Sequence, residues 1–171
     1  MMNDCHERAK HSLCIQAVNL KESKVFVRDN VDLYKLNREG TAAQSFRSVT
    51  QIREITLTDP DNDNVETFDY RFMYSVGIRL IFSEEEKESR NEDYKPITEI
   101  FAIFEAKYLS QNKLNEDERK AYAADNVGYH VWPYWREYAQ STCARIGLSP
   151  AVEVPVYIIQ RKEENAEGVC K

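Results

Sequence analysis

Four groups of residues have the types that do chemistry. Cys5, His6, His11 and Cys14 fall within ten residues. Thiolate and imidazole are the ligands zinc prefers. An adjacent Cys5-His6 pair on a polar stretch is poor chelate geometry, so no metal and no other cofactor is expected. Cys143 is the one cysteine on an apolar helical stripe, and His130 is the one histidine outside the amino-terminal stretch. A thiol in such a stripe is inert by default. The two residues also flank a helix start, which is the wrong arrangement for a nucleophile and its base. Glu99 and Glu105 share a strand face, but six residues of strand separate them by roughly 20 Å, too far for paired acid–base work. No glycine-rich phosphate loop and no basic–aromatic RNA-binding pattern is present. The expectation is a protein that is not an enzyme. The fourth group is aromatic: Tyr129, Trp132, Tyr134, Trp135 and Tyr138 crowd ten residues. Such a cluster is either core packing or the lining of a groove or oligomer interface.

These residues depend on a run of strands followed by helices. Residues 1–12 read as a flexible polar arm. From Leu13 to Val27 the pattern is strand-like, with a bulge or tight hairpin at Lys21-Glu22-Ser23-Lys24. Residues 28–47 read as a loop, and Val49–Thr58 as a strand that ends in the turn-forming run Asp59-Pro60-Asp61-Asn62. The cleanest segment is Phe68–Phe82. Phe68, Tyr70, Phe72, Tyr74, Val76, Ile78, Leu80 and Phe82 take every even position, the period-two signature of a half-buried strand. A charged loop follows, with Glu84, Glu85 and Glu86. Ile97–Leu109 is the returning strand, and Phe101 and Ile103 on its wet face predict that another surface covers them. Asn115 caps a short helix, with Glu118 placed for a capping box. Pro133 then opens a second helix, where its missing N–H costs nothing. That helix stops at Gly147. Val156–Ile159 is a last apolar segment, and residues 160–171 read as a charged flexible tail. The expectation is an α+β fold, a four-stranded antiparallel sheet with helices packed on one face.

Composition narrows the function. The chain of 171 residues carries 29 acidic and 23 basic side chains, net −6. That balance argues against non-specific nucleic-acid binding and against an anionic membrane surface. No apolar run spans a bilayer. The first residues lack the apolar core of a signal peptide, and the scattered cysteines predict reduced thiols in a cytoplasm. Tyrosine outnumbers phenylalanine, 10 to 7, and tyrosine suits half-wet surfaces and interfaces.

At the aromatic cluster the chain resembles the SecB family of protein-export chaperones. Val131-Trp132-Pro133-Tyr134-Trp135-Arg136-Glu137 is similar to that family's "LFPYARE" helix start. The match continues through Ala144-Arg145-Ile146-Gly147-Leu148-Ser149-Pro150, like "SRGxFPP", to Val154-Pro155-Val156-Tyr157, like "xPVNF". Ile15-Gln16-Ala17-Val18 looks like the first-strand "IQRI", with Lys21-Glu22 where the family has "KD". The resemblance covers residues 13–158, and a SecB-like domain is expected over 13–159.

The resemblance implies a homo-oligomer, a dimer or a dimer of dimers, that holds unfolded polypeptides in hydrophobic grooves without ATP. Tyr129, Trp132, Trp135, Phe101 and Ile103 are the expected groove residues. It also implies a contact with the translocation motor SecA through Glu22, Glu84, Glu85 and Glu86. Phe26 stands where the family has a second acidic position. Three alternatives stay open. One is a cystatin-like or cone-shaped ligand binder or enzyme with a closed aromatic pocket. Another is a SecB-like chaperone dedicated to an antitoxin. The third is a plain interaction subunit.

Overall fold

The structure is a computed structural model that describes residues 2–59 and 61–158. Four antiparallel strands, β1 (Cys14–Val27), β2 (Thr41–Asp59), β3 (Asn62–Phe82) and β4 (Thr98–Ser110), form one sheet in the order β1-β4-β3-β2. Two helices, α1 (Met2–Ser12) and α2 (Glu116–Arg145), complete the fold. The expected sheet is present, and both central strands show the predicted alternation. Phe68, Tyr70, Phe72, Tyr74, Val76, Ile78 and Leu80 of β3 are buried beneath α2, as are Ile100, Ala102, Phe104, Ala106 and Tyr108 of β4. Each large apolar side chain buried there stabilises the fold by about 1.5–3 kcal/mol. An edge-to-face contact links the sheet to α2, Tyr108 to Tyr122 at 5.3 Å, and another joins Phe72 to Tyr108 within the sheet at 5.4 Å.

Several expectations need correction. Residues 2–12, read as a flexible arm, are helical. Asp4 in the first turn and Lys10 and His11 in the last complement the helix dipole. Eleven residues do not hold a helix alone in water. Contacts with α2 hold this one: His6 Nε2 lies 2.5 Å from Asn126 Oδ1, Arg8 Nε lies 3.2 Å from Glu118, and Ala9 is fully buried. The second helix is therefore amino-terminal, and the order is α-β-β-β-β-α.

The second correction concerns α2, which is one helix of 30 residues with Pro133 inside it, not two. Its buried residues Tyr122, Val127, Val131, Trp132, Trp135, Ala139 and Cys143 form one stripe through the proline, and burial of that stripe outweighs the local break. The capping box forms as expected: Glu118 N donates to Asn115 Oδ1 at 2.9 Å, and Asn115 N donates to Glu118 at 2.8 Å.

The strands also extend further than predicted. β2 begins at Thr41, inside the segment read as loop. β1 runs unbroken through Lys21–Lys24 with a bulge between Leu20 and Glu22, not a hairpin. Residues 151–158 form no regular element, so Val156 and Ile158 are not in a strand. The tail reading over 160–171 lies outside the described residues.

Candidate functional site

No single groove collects the five predicted binding residues, because they lie on opposite sides of the sheet. Trp132, Trp135 and Tyr129 belong to α2 on the covered face. Phe101 and Ile103 belong to the face that no helix covers among the described residues, where strand register sets them beside Lys24 and Glu22. Trp135 is 2% exposed and packs in the core. Trp132 is 8% exposed and reaches the rim of the helix. Tyr129 is the outward-facing member, 56% exposed.

The structure builds a different groove, between α2 and the edge strand β2. Register puts Arg47, Val49 and Ile52 of β2 on the helix side, opposite Val76, Tyr74 and Phe72. They line an open cavity of about 480 Å³ with Lys120, Ala123, Tyr74 and Tyr157. After α2 the chain turns back at Gly147, whose φ of +75° suits only glycine well, and packs between α2 and β2 until Tyr157 forms part of the cavity wall. Leu148, Val152 and Val154 are buried. Trp132 Nε1 donates to the Pro155 carbonyl at 2.6 Å, and Arg38 donates to the Pro150 carbonyl at 2.7 Å. The Tyr157 hydroxyl donates to the Asp125 carbonyl at 3.1 Å. The Tyr157 ring lies on Gly128, where a Cβ would overlap it. The Arg47 guanidinium covers both neighbouring rings, 4.4 Å from Tyr157 and 5.2 Å from Trp132, a cation–π arrangement. Beneath them the buried Tyr74 hydroxyl has no hydrogen-bond partner among the described residues. Burial raises its pKa, and that of Tyr157, above the ordinary tyrosine value.

Sequence reasoning missed Arg47, Tyr74, Gly128 and Tyr157. The one available signal was Gly128, since a glycine inside a helical pattern marks close approach of another group.

The open sheet face has its own character. Phe46 and Phe101 stack at 5.9 Å across Gly77, whose missing side chain makes room for the Phe46 ring. Acids and bases interleave beyond them. Asp69 is buried against Arg71 at 3.0 Å and Lys107 at 3.5 Å, and Glu105 lies 4.0 Å from Lys21. Of the predicted acidic contacts, Glu22, Glu84 and Glu86 are exposed. Glu85 is bound by both Arg28 nitrogens, at 3.1 and 2.8 Å, and by the Tyr94 hydroxyl at 2.6 Å. These donors, Arg28 first, hold its carboxyl below the usual range.

The other chemical candidates separate. Among the described residues no three potential metal ligands gather. Cys143 is buried, and it shares α2 with His130 at a distance of about 20 Å along the axis. His130 Nδ1 is hydrogen-bonded to the Tyr108 hydroxyl at 2.9 Å. Burial lowers the His130 pKa below 6.5. Unfolded chains therefore take up this proton at a higher pH than the folded protein does. The stabilisation is present above 6.5 and is lost as pH falls from there toward the lowered folded value. His130→Gln is expected to lose less unfolding free energy than the parent between about pH 7.5 and about pH 5.5, measured by denaturant titration. Equal losses would place the proton elsewhere.

No protein-family model matches the chain, and no curated protein matches it. Among solved structures, a SecB-like chaperone of Mycobacterium tuberculosis, in complex with a ChAD peptide from the antitoxin HigA1, superimposes with a TM-score of 0.56 at 18% identity. The match covers 90% of this chain and 98% of that one. A four-stranded antiparallel sheet backed by two helices, matched over that length, gives this chain a SecB-like fold.

Proposed function

We propose that the chain is an ATP-independent holdase of the cytoplasm, a binding protein and not an enzyme, which takes unfolded or non-native polypeptide into the groove between α2 and β2. One observation carries this reading: irregular polypeptide of this chain already packs between α2 and β2 through apolar side chains and a backbone carbonyl, with Tyr157 in the wall of the open cavity. Among the described residues the outer edge of β2 has no neighbouring strand. It offers backbone donors and acceptors to an extended client, as in strand addition. Tyr129 extends the apolar path along α2, while Phe101 and Ile103, with Phe46, form a second contact on the open face. The neighbouring structure's antitoxin peptide favours one further reading, a chaperone dedicated to an antitoxin.

A homodimer or a dimer of dimers is part of the proposal. Ile15, Leu20 and Val25 of the edge strand β1 are exposed, and an apolar edge of this kind is normally covered. Coupling to SecA through Glu22, Glu84 and Glu86 is the finer proposal. The bases interleaved on the open face favour client holding over docking of a basic partner there.

At equimolar ratio the protein is expected to suppress aggregation of a reduced, unfolded client without nucleotide. Light scattering in line with size exclusion is expected to give a dimer or tetramer mass. Unchanged client aggregation would refute the holdase reading. A strict monomer would remove the oligomer from it.

A further inference from the structure

We propose that residues 148–158 are an internal occupant of the groove, which client polypeptide must displace. This inference rests on the polypeptide-binding reading and adds a specificity to it. Val152 and Val154 are buried two residues apart, and Tyr157 follows three residues later into the notch at Gly128. The alternate residues Glu153, Val156 and Ile158 face outward, with Val156 70% exposed. The segment thus reads as a bound peptide with the pattern aliphatic-x-aliphatic-x-x-aromatic. Polypeptides carrying that pattern are the class that competes for the same positions.

Three observations mark the segment as displaceable and not as fixed wall. Past Leu148 it makes no backbone-to-backbone hydrogen bond among the described residues. Past Leu148 its hydrogen bonds among the described residues are single side-chain bonds to carbonyls, from Trp132, Arg38 and Tyr157, beside the packing of Val152, Val154 and the Tyr157 ring. Beneath its last ring lies the buried Tyr74 hydroxyl, which has no hydrogen-bond partner among the described residues, a polar position that a client backbone carbonyl can fill. Gly128 sits mid-helix, where alanine would favour the helix by about 0.8–1 kcal/mol. The close approach of Tyr157 is what requires glycine there. A groove occupied by its own chain binds clients more weakly by the fraction of time it is open.

The test is binding of fluorescently labelled, reduced and carboxymethylated α-lactalbumin to the full chain and its variants, each checked for folding by circular dichroism. Tyr157→Ala removes the plug. Gly128→Ala evicts the ring and leaves its chemistry intact. Both are expected to bind the client about tenfold more tightly than the parent, whereas Tyr157→Phe, which keeps the ring but loses the bond to the Asp125 carbonyl, is expected to fall between the parent and Tyr157→Ala. A synthetic peptide covering residues 150–158 is expected to compete with the client on Tyr157→Ala. Binding by Tyr157→Ala equal to or weaker than the parent's, with the parent binding, would overturn the displacement and leave the holdase reading intact. Failure of parent and variants alike to bind would overturn the holdase reading, and the displacement with it.

Discussion

Trp135→Ala lowers the unfolding free energy by about 3–5 kcal/mol, the cost of removing a large aromatic from a packed core. Trp135 is the largest fully buried side chain among the described residues. It packs against Tyr138, which in turn meets Phe104 of the sheet edge-on at 6.5 Å. A domain's total stability is about 5–15 kcal/mol, so the loss takes a large share of it. For a chain of this length the melting temperature should fall by roughly 6–20 °C. The expected pattern is a large drop in the denaturation midpoint. Client binding, measured where the variant is still folded, should change little, because this indole is not on the groove surface. A small stability loss with a large binding loss would return Trp135 to the role its sequence position suggests.

That difference shows what a sequence can reveal about this fold. The β3 pattern was legible because every even residue from Phe68 to Phe82 is apolar, and a strand buried on one face permits no other register. The sheet and its pairing with β4 follow from that. α1 was not legible: among its described side chains only Ala9 is buried, so it carries no apolar stripe, and partners on α2 decide its structure. Pro133 misled for a local reason. A proline suits a helix start better than a helix interior, and only the tertiary burial of Val127, Val131 and Trp132 on one side of it and Trp135 on the other overrides that preference. The groove was the least legible part. Arg47, Gly128 and Tyr157 are far apart in sequence and meet only because β2 and α2 both border the carboxy-terminal segment.

The same distinction applies to charge. Net acidity argued against nucleic acid and an anionic membrane as partners, but it does not describe the open face of the sheet. Strand register instead sets Arg53 beside Arg71 and Lys107 in one row of the open face, with Glu105 beside Asn19 and Met73 in the next. Composition sums over the whole surface, whereas docking depends on one face of it.

Pro133→Ala is expected to stabilise the protein. Proline inside a helix costs up to about 3 kcal/mol relative to alanine. It lacks the N–H that would bond the Tyr129 carbonyl, and its ring crowds that carbonyl. Here the residue is exposed, so alanine at this position displaces no buried packing. A gain of about 1–3 kcal/mol is the result to look for, read as a higher melting temperature and slightly stronger far-ultraviolet helix signal. The opposite sign would be informative. Proline bends helices, and Trp132 immediately precedes this one while Trp135 follows two residues later. If the bend is what lets both indoles reach their places, straightening α2 would pull Trp132 from the Pro155 carbonyl. Stability would then fall, and the segment that lies in the groove would loosen with it. A variant that is more stable yet binds client as the parent does would show that the proline is tolerated and is not required for the groove.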